Sequence, residues 1–550
     1  MPMNTNSYLR VSSIVAVLAA AMLVTPRALA APSAVTFTVD TTLDLIDPDT
    51  SDGVCPVGSC SLRAAIMQAN VITGPGVTIN LPSGTYTLTR PPAGANGDNN
   101  GDLNLMAPPS GNPVISIVGA GAASTIIDAN KIDRVFSVAS GRTATLSGVT
   151  IRNGFRLGAS GGGVFNGGNL TISDSVIEGN QTDAAGGGIR TEGVMNITRT
   201  TIRSNVAFRG GGLRLLGITT IRDSSIYGNG ADFGGGIAVG AFSFASQLTI
   251  VNSTISQNYA NTNGGGIDSE GDTFLYNTSV IDNDAYHDRN SPTGGKGGGV
   301  YVNAGSRFVV VNTLIARNTL NSATIPEDCS GTLEGYGWNL LGDLGGCTFT
   351  GNGNGSRSII SLSTLGPLQD NGGPTLTHAL LAGSTAIDST FLQGCVNETG
   401  ATLTTDQRGV ARGTGFKCDV GAFEYSAQLP LVATLDVDAS ISATKYDSLT
   451  DGLLTIRYLF GLTGASLIGN AIGATATRKD AAAIKTYLDA IRASLDIDGN
   501  GNVDALTDGL LVIRYLFGLR GTSLMQGAIA AGATRITAAQ IESYIATLTP

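Results

Sequence analysis

The stretch Asn169-Leu-Thr-Ile-Ser-Asp-Ser-Val-Ile-Glu-Gly-Asn180, followed by Gly186-Gly-Gly-Ile189, decides the fold of this chain because variants of it recur downstream. The asparagine that ends each copy returns at intervals of 24 to 29 residues, at Asn180, Asn205, Asn229 and Asn258. A repeat of this length is typical of an array in which each copy forms one structural unit. The sequence from 169 to 318 therefore predicts a solenoid.

Each copy contains two short β-rich runs with alternating apolar residues, such as Leu170-Thr-Ile172 and Val176-Ile177. No copy has ten successive residues with a helical pattern, which disfavours leucine-rich and ankyrin-type arrays. We expect a parallel β-helix with coils about 4.8 Å apart, asparagines stacked in an internal ladder and glycine triplets at corners with positive φ. The isoleucines predicted to stack inside the tube are Ile172, Ile197, Ile221 and Ile250.

Composition agrees with a long solenoid core. The chain has 550 residues, of which 76 are glycine and only 13% are charged, so it is too apolar for a disordered chain. The formal net charge is -10, and no basic run follows residue 31. Because a phosphate-binding surface needs clustered lysine and arginine, we expect no nucleic acid partner.

The N-terminus predicts export. Arg10 precedes an apolar run from Val11 to Val24, and Ala28-Leu-Ala30 provides a cleavage site, so residues 1–30 are predicted to be a signal peptide. A membrane anchor is the alternative, but the run is short and ends at Pro26. No second apolar stretch of about 18 residues follows, so we expect a mature protein without a transmembrane segment, located extracellularly or at the cell surface.

Six cysteines form three pairs of sequence neighbours. In an exported protein such pairs predict disulfides that hold polar loops. Zinc binding is the alternative, but the spacings do not match paired CxxC sites, and His287 and His378 lie far from most of the cysteines. The expected pairs are Cys55 with Cys60, Cys329 with Cys347, and Cys395 with Cys418.

A short helix is predicted near the start of the mature chain. Ser61 suits a helix N-cap, and Leu62, Ala65 and Ile66 share one face of the helix after it. Strands at the end of a β-helix are unpaired unless another element covers them. We therefore expect residues 31–89 to cap the N-terminal end of the tube.

The cap resembles a known family segment. Asp52-Gly-Val-Cys55 with Cys60-Ser-Leu-Arg-Ala-Ala65 is similar to the CSLREA segment that precedes right-handed parallel β-helices in exported bacterial proteins. Ala64 stands where that motif has glutamate, so the function of that carboxylate is absent here. The resemblance implies a mainly β fold, with a pectate-lyase-like right-handed parallel β-helix over residues 90–365.

The end of the β-helix also resembles a known segment. Asp406-Gln-Arg-Gly409 and Asp419-Val-Gly-Ala-Phe-Glu424 are similar to the segment that closes such β-helices in surface proteins. This resemblance implies a closing segment over residues 366–425. For activity it implies little, because proteins of this group are mostly uncharacterised.

A different repeat follows a linker at 426–434. Asp451-Gly-Leu-Leu-Thr-Ile-Arg-Tyr-Leu-Phe-Gly-Leu462 matches Asp508-Gly-Leu-Leu-Val-Ile-Arg-Tyr-Leu-Phe-Gly-Leu519 at a spacing of 57 residues. Glycine becomes sparser here, and helical periodicity replaces the period of two. Residues 435–550 therefore predict a small all-α domain built from two copies of an acidic loop and its helices.

Both acidic loops are predicted to bind Ca²⁺, which needs six to eight oxygen ligands. The second loop has side-chain oxygens at alternate positions and Gly501 for the sharp turn, although its last acid lies one position later than in a standard EF-hand loop. The first loop predicts a weaker site because it lacks the turn glycine. The alternative is a solvated acidic turn that caps the following helix. The candidate ligands are Asp496, Asp498, Asn500, Asn502 through its carbonyl, Asp504 and Asp508, and in the first loop Asp436, Asp438, Ser440, Asp447 and Asp451.

The loop and helix pairs resemble dockerin modules, which attach enzymes to cohesin-bearing scaffolds through calcium-dependent folding. The repeat is longer than a dockerin segment, and loop positions 10 and 11 hold Ala505-Leu506 and Ser448-Leu449, where cohesin-binding dockerins often have hydroxyl residues. The resemblance implies calcium binding. It leaves a cohesin-like or cell-envelope partner as an open hypothesis.

The outer wall of the β-helix carries candidate catalytic residues. Asp268 and Glu270 are two residues apart on one predicted strand, at a separation that glycoside hydrolysis could use, and Arg190 or Arg214 could bind an acidic sugar or act as a lyase base. The insertion 282–289 places His287 and Asp288 beside further carboxylates. The alternative is a polar outer wall and a solvated loop, because fold alone does not establish function.

The leading hypothesis is a non-catalytic, adhesin-like or carbohydrate-binding surface whose partner is a polysaccharide or cell-surface glycan. The runner-up is a polysaccharide lyase or glycoside hydrolase acting in polysaccharide catabolism, and a purely structural spacer is a third possibility. A groove with clustered, perturbed carboxylates favours the enzyme, whereas a flat wall favours adhesion.

Overall fold

The computed structural model divides the chain into two compact units, one ending at Tyr425 and one beginning at Ser426. The predicted signal peptide and most of the predicted linker lie outside the residues it describes. In that described part, no helix is long and apolar enough to cross a bilayer. The described residues are 34–74, 76–92, 99–107, 110–240, 246–286, 295–321, 325–343, 345–351, 358–359, 361–390, 394–413, 418–425, 433–440 and 446–549.

The first unit is a parallel β-solenoid, which confirms the predicted coil-per-repeat architecture. One coil contributes, in chain order, a strand to each of four sheets, here called sheets 1 to 4, as in Asn169–Ser173, Val176–Glu178, Gln181–Thr182 and Ile189–Thr191. Nearly every pairing is parallel, because each strand bonds to its equivalent in the next coil.

Sheets 1 and 4 share the long strand Cys329–Tyr336. Sheet 1 contains Val35–Thr38, Gly76–Leu81, Val114–Gly119, Thr143–Ser147, Asn169–Ser173, Val194–Thr198, Ile218–Arg222, Gln247–Val251, Asp272–Tyr276, Phe308–Val311, Cys329–Tyr336 and Cys347–Thr350. Sheet 2 contains Gly84–Thr87, Thr125–Asp128, Thr150–Arg152, Val176–Glu178, Thr201–Arg203, Ser225–Tyr227, Thr254–Ser256, Ser279–Ile281, Leu314–Ala316, Leu340–Leu341 and Ser358–Ile359.

The other two sheets complete the coils. Sheet 3 contains Phe155–Arg156, Gln181–Thr182, Val206–Arg209, Gly230–Phe233, Tyr259–Asn263, Asp284–Ala285, Thr319–Leu320 and the antiparallel Ile325–Pro326. Sheet 4 contains Leu103–Leu105, Phe136–Val138, Val164–Asn166, Ile189–Thr191, Leu213–Leu215, Ile237–Val239, Ile267–Ser269, Val300–Val302 and the shared strand.

The predicted isoleucine stack is confirmed. Ile172 pairs in register with Ile197, Ile197 with Ile221, and Ile221 with Ile250, and all four are fully buried. A one-residue shift of register would turn each of these side chains to the outer face. Burial of the apolar positions therefore fixes the register of sheet 1.

The predicted asparagine ladder is also confirmed and is longer than expected. Asn205 Nδ2 donates to Asn229 Oδ1 at 2.9 Å, and Asn229 Nδ2 donates to Asn258 Oδ1 at 2.9 Å. Asn283 and Asn318 continue the ladder beyond the four asparagines that were predicted to form it. Each amide also donates to a carbonyl of the preceding coil, so the buried polar side chains are satisfied.

The ladder ends at a buried carboxylate, Asp328. Its Oδ1 accepts the main-chain N–H and the Nδ2 of Asn318, and its Oδ2 accepts the N–H groups of Gly342 and Asp343 at 2.7 Å. Burial raises the pKa of Asp328 to about 6. Four donors converge on this side chain, which explains why an acceptor-only carboxylate stands here instead of another asparagine.

The glycine triplets form corners, as predicted. The first glycine of each triplet has a positive φ, for example 74° at Gly186. The second and third glycines are required by the close approach of neighbouring coils: a Cβ at Gly187 would lie 2.5 Å from the Gly211 carbonyl oxygen, and one at Gly188 2.6 Å from that of Gly212.

The N-terminal cap contains helix α1, Leu62–Val71. As predicted, Ser61 caps it, because its side chain accepts a hydrogen bond from the Ala64 N–H. The apolar side chains of α1 join the solenoid core. Arg63 is almost fully buried and binds Asp44 at 2.6 Å and the Gly101 carbonyl at 2.8 Å, which ties the cap to the first coils.

All three predicted disulfides are present, and zinc binding by the cysteines is excluded. The Cα atoms are 5.2 Å apart in Cys55–Cys60, 5.5 Å in Cys329–Cys347 and 5.9 Å in Cys395–Cys418. In the described part of the chain no cysteine is free.

The segment from Leu365 to Tyr425 covers the outer face of sheet 2. It begins with an antiparallel hairpin, Leu365–Gln369 with Thr377–Leu380, and shares a second apolar core with Ile281 and Leu314. Buried polar contacts join it to sheet 2, including Ser256 Oγ to His378 Nε2 at 2.8 Å. Burial lowers the pKa of His378 to about 4, so this side chain is neutral near pH 7.

The second unit is all-α within its described residues. Its two halves meet where α2 (Leu453–Leu459) packs on α5 (Leu510–Leu516). The glycine before each helix faces the other helix: a Cβ at Gly452 would lie 3.2 Å from Ile513, and one at Gly509 3.1 Å from Ile456. A π-helical turn precedes each of these helices, at Ser448–Gly452 and Ala505–Gly509. The helices are α2 Leu453–Leu459, α3 Gly464–Ile468, α4 Ala481–Ile491, α5 Leu510–Leu516, α6 Thr522–Met525 and α7 Ala538–Thr547.

Candidate functional site

A column of outward-facing side chains crosses sheet 4. Leu213 and Leu215 lie in the core, so Arg214 between them faces outward, and the same alternation turns Asp268 outward from between Ile267 and Ser269. This orientation agrees with the sequence prediction. The column in register order is Phe165, Arg190, Arg214, Ala238, Asp268 and Tyr301.

Arg209 connects the two candidate carboxylates. It lies at the end of a sheet 3 strand, and its Nη2 is 2.7 Å from Glu270 Oε1 and 3.5 Å from Asp268 Oδ2. Asn303 donates to Asp268 Oδ1 at 2.9 Å. The two carboxylates therefore lie close together, with one guanidinium between them. We call Arg209, Arg214, Asp268 and Glu270 the Arg214 cluster.

Arg209 was not singled out from the sequence. It directly precedes the triplet beginning at Gly210, and an arginine at a corner gives no sign that it reaches across to another sheet. The Arg209 guanidinium lies over the Phe233 ring, 4.9 Å from the ring centroid, and this contact directs the Arg209 side chain toward sheet 4.

Burial shifts the pKa values of Asp268 and Arg214 in opposite directions. It raises the pKa of Asp268 to about 6, because the carboxylate is desolvated and Glu270 lies nearby. It lowers the pKa of Arg214 to about 10, with the positive charge of Arg209 adding to the effect. Perturbed groups of this kind are more frequent at functional sites than elsewhere.

Arg214 is the unusual member. Among the residues that the structure describes, none forms a hydrogen bond or ion pair with its guanidinium, whereas Arg190 binds Ser160 and Glu192. Only 6% of Arg214 is exposed. Glu270 and Asp268 attract its charge without bonding to it, so its hydrogen-bond donors are available to an anionic ligand.

A surface groove adjoins the cluster and shares Glu270 with it. The other residues that line this groove are Ile218, Ser246, Gln247, Gly271, Asp272, Gly305 and Ser306. The remaining two predicted catalytic residues, His287 and Asp288, lie outside the described residues.

We expect Asp268→Asn to stabilise the protein at high pH. The folded-state pKa of Asp268 lies above the unfolded value, so its contribution is favourable below about pH 4 and is lost as the pH rises through about 6. The substitution should therefore raise the free energy of unfolding by about 3 kcal/mol at pH 8 and change it little at pH 3. Urea unfolding at the two pH values measures this. The exposed Asp272→Asn is the control, and an equal effect of Asp268→Asn at both pH values would contradict the assignment.

The second unit holds two clusters of converging carboxylates. In each, three ligand atoms lie within 4.8 Å of one another, and two of the three residues are fully buried. The clusters are Asp436, Asp438 and Asp451 in the first loop and Asp496, Asp498 and Asp508 in the second. Among the described residues, which leave out 441–445 of the first loop, the two triplets have the same arrangement; that the first site is the weaker one stays a prediction.

The other predicted ligands of the second loop have different contacts. Asp504 caps the π-helical turn by accepting the Leu506 and Thr507 N–H groups, and Asn500 Oδ1 accepts the Asn502 N–H at 2.7 Å. In the first loop Asp447 caps the corresponding turn, and Ser440 donates to Asp438 at 2.6 Å.

The residues present fit a hard divalent cation. Burial raises the pKa of Asp451 to about 7 and also raises that of Asp508, and the neighbouring carboxylates Asp438 and Asp498 add to each effect. Such clusters of oxygen donors with like charge are relieved by a bound cation. The acidic groups could therefore hold a metal ion.

The chain resembles solved structures only distantly. Neither a protein-family model nor a curated protein sequence matches it. Pectate lyase Pel9A has 15% identity and a TM-score of 0.43, over 71% of this chain and 97% of that one. The A-module of the mannuronan C-5 epimerase AlgE6 from Azotobacter vinelandii has 17% identity and a TM-score of 0.27, over 52% and 90%. The PL6 family alginate lyase AlyGC has 11% identity and a TM-score of 0.22, over 72% and 59%.

Proposed function

We propose that the chain is a carbohydrate-binding β-solenoid protein that binds an acidic polysaccharide at the Arg214 cluster. The observation that carries this proposal is the Arg214 guanidinium on the outer face of sheet 4, which is largely buried and forms no hydrogen bond or ion pair with any residue that the structure describes. Arginine binds carboxylates through two parallel hydrogen bonds, so an acidic sugar supplies the counter-charge.

Exposed aromatic side chains near the cluster support a sugar ligand. Phe208 and Tyr259 on sheet 3 are 48% and 47% exposed, and Phe208 packs edge-on against Phe233, whose ring carries Arg209. Flat apolar faces beside polar groups suit a ligand that has both apolar ring faces and polar edges.

The second unit is proposed to bind two Ca²⁺ ions and to serve for attachment. The two equivalent carboxylate clusters support calcium binding. The dockerin-like sequence supports attachment to a cohesin-like or cell-envelope partner, and the predicted signal peptide supports an extracellular or cell-surface location. In this proposal the solenoid presents the glycan-binding face and the second unit anchors it.

A polysaccharide lyase or glycoside hydrolase is the second candidate. The groove that shares Glu270 with the cluster and the raised pKa of Asp268, about 6, favour it, because a general acid or base works best when its pKa lies near the working pH. The ion pairs of Arg209 with Asp268 and Glu270 favour the binding function instead. They hold the two carboxylates in place against a protein cation, whereas catalysis needs carboxylates that can act on the substrate.

Binding to immobilised polygalacturonate, alginate and a neutral glucan tests the proposal. We expect binding to at least one acidic polymer, and a ten- to about a hundredfold loss of affinity in Arg214→Ala, which matches one charge-assisted contact. Arg214→Lys should restore part of the affinity because it keeps the charge without the planar fork. Arg199→Ala is the matched control, since Arg199 forms an exposed pair with Asp174. Equal binding by the parent and Arg214→Ala would contradict the proposal.

Product release distinguishes the two candidates. The parent protein and an Asp268→Ala/Glu270→Ala variant are incubated with the same polymers and Ca²⁺, and unsaturated or reducing ends are measured. Ends that form with the parent and disappear in the variant would make the protein an enzyme. Binding without product supports the non-catalytic function.

A further inference from the structure

The surface groove beside the Arg214 cluster follows a corner of the solenoid. Ile218, Gln247 and Asp272 line it as the first residues of three neighbouring strands of sheet 1, and they pair in register from coil to coil. Strands of neighbouring coils are about 4.8 Å apart, so these three positions extend about 10 Å along the solenoid. Glu270 lines the same groove and belongs to the Arg214 cluster.

The chain connects the groove to the anion-binding position over a short distance. Arg214 and Ile218 lie four residues apart on one coil, and Asp268 and Asp272 lie four residues apart on another. Only the corner between sheet 4 and sheet 1 separates the members of each pair. The Arg214 cluster and the groove are therefore neighbouring parts of one surface.

The side chains of the groove suit a neutral sugar residue. Ile218 is 50% exposed and provides an apolar face, while Gln247 and Ser306 provide hydrogen-bonding groups. Ser246 is 4% exposed, and in the described part of the chain its Oγ has no hydrogen-bond partner. Sugar hydroxyls both donate and accept hydrogen bonds, so they match each of these polar groups.

The same groove does not suit a second sugar carboxylate. Among the lining residues that the structure describes, none is a lysine or an arginine. Glu270 is paired with Arg209, whereas the Asp272 side chain is exposed. Arg307 lies close to the groove in sequence, but its guanidinium pairs with Glu334. A carboxylate in the groove would therefore meet the negative charge of Asp272 without a compensating cation.

We propose that the ligand is a heteropolysaccharide in which an acidic sugar residue stands next to a neutral one, with the acidic residue at Arg214 and the neutral residue in the groove. This inference rests on the proposed binding of an acidic polysaccharide and adds the order of the sugars to it. Asp272 is the residue that determines specificity, because it disfavours a polymer in which every sugar carries a carboxylate. Repulsion between exposed carboxylates is weak in water, so the discrimination amounts to about threefold to tenfold in affinity.

Polygalacturonate and the same polymer after partial reduction of its carboxyl groups to galactose test the order of the sugars. The two polymers share a backbone and differ only in whether neutral residues stand between the acidic ones. We expect the full-length parent protein to bind the partly reduced polymer about threefold to tenfold more tightly, although that polymer carries less charge.

Two substitutions in the groove should change this preference in opposite directions. Asp272→Asn should remove most of it by strengthening binding to the unreduced polymer, and Gln247→Glu should enlarge it by adding a second carboxylate. The matched control is Asp480→Asn, which makes the same change of net charge in the second unit and should keep the preference of the parent.

The outcomes separate this inference from the proposed function. Equal or tighter binding of the unreduced polymer by the parent, lost in Arg214→Ala, would overturn the inference and leave the proposed function intact. A preference that is unchanged in Asp272→Asn would also overturn it. Binding to neither polymer, or binding that Arg214→Ala leaves unchanged, would contradict the proposed function and the inference with it.

Discussion

The substitution Asn229→Ala is expected to destabilise the solenoid by about 4 kcal/mol, because it interrupts the buried amide ladder in the middle. Asn229 Oδ1 accepts both the main-chain N–H and the Nδ2 of Asn205, and its Nδ2 donates to the Ile202 carbonyl and to Asn258. Alanine cannot replace any of these bonds. An unsatisfied buried donor or acceptor costs about 1–3 kcal/mol, and the coils above and below share the loss.

Urea unfolding of the full-length protein measures this effect. Asn196→Ala is the matched control, since Asn196 lies on an exposed position of sheet 1 in the same region, and it should change the free energy of unfolding by less than about 0.5 kcal/mol. Because each coil contacts only its neighbours, unfolding of the solenoid need not be two-state, and the midpoint of the first transition is the quantity to compare. Similar midpoints for the two variants would contradict the structural importance of the ladder.

Calcium removal is expected to destabilise the second unit by about 4 kcal/mol for each site, when free Ca²⁺ is a thousandfold above its Kd. The physical reason is that each cluster holds three carboxylates together, two of them fully buried, and a chelator leaves their repulsion uncompensated. The α2 and α5 helices start directly after these loops and pack on each other, so loss of either ion should loosen both halves.

Amide exchange in peptides that cover α2 and α5 measures this loss. It should become up to about a thousandfold faster on chelation, and Asp498→Asn should reproduce part of the effect while Ca²⁺ is present. Asp480→Asn is the control, because Asp480 is an exposed N-cap of α4, where asparagine caps equally well, and it should keep the full calcium response. Exchange that is insensitive to the chelator would show that the clusters are acidic turns that only cap the helices.

The sequence predicted the solenoid because its determinants are local and periodic. Ile221 and Asn229 recur at the same place in each copy, so their stacking follows once one coil is assigned to one repeat. The ladder beyond Asn258 was not anticipated, and its end at Asp328 could not be, because that residue lies where the repeat becomes irregular. Its role depends on donors contributed by Gly342 and Asp343, which no local pattern identifies.

The candidate sites were predictable to different degrees. The cluster around Asp498 follows from the alternation of oxygen side chains in one loop, whereas the equivalent cluster around Asp438 is obscured by three extra residues. The outward direction of Asp268 followed from strand alternation. Its ion pair with Arg209 did not, because the two residues lie on different sheets and meet only through the stacking of coils.

The most direct test of the central claim is a crystal structure of the protein with a short acidic oligosaccharide, such as a trimer of galacturonate. We expect a sugar carboxylate within hydrogen-bonding distance of the Arg214 guanidinium and a sugar ring against the exposed aromatic face of sheet 3. An oligosaccharide bound elsewhere on the solenoid, with Arg214 still lacking a partner, would contradict it.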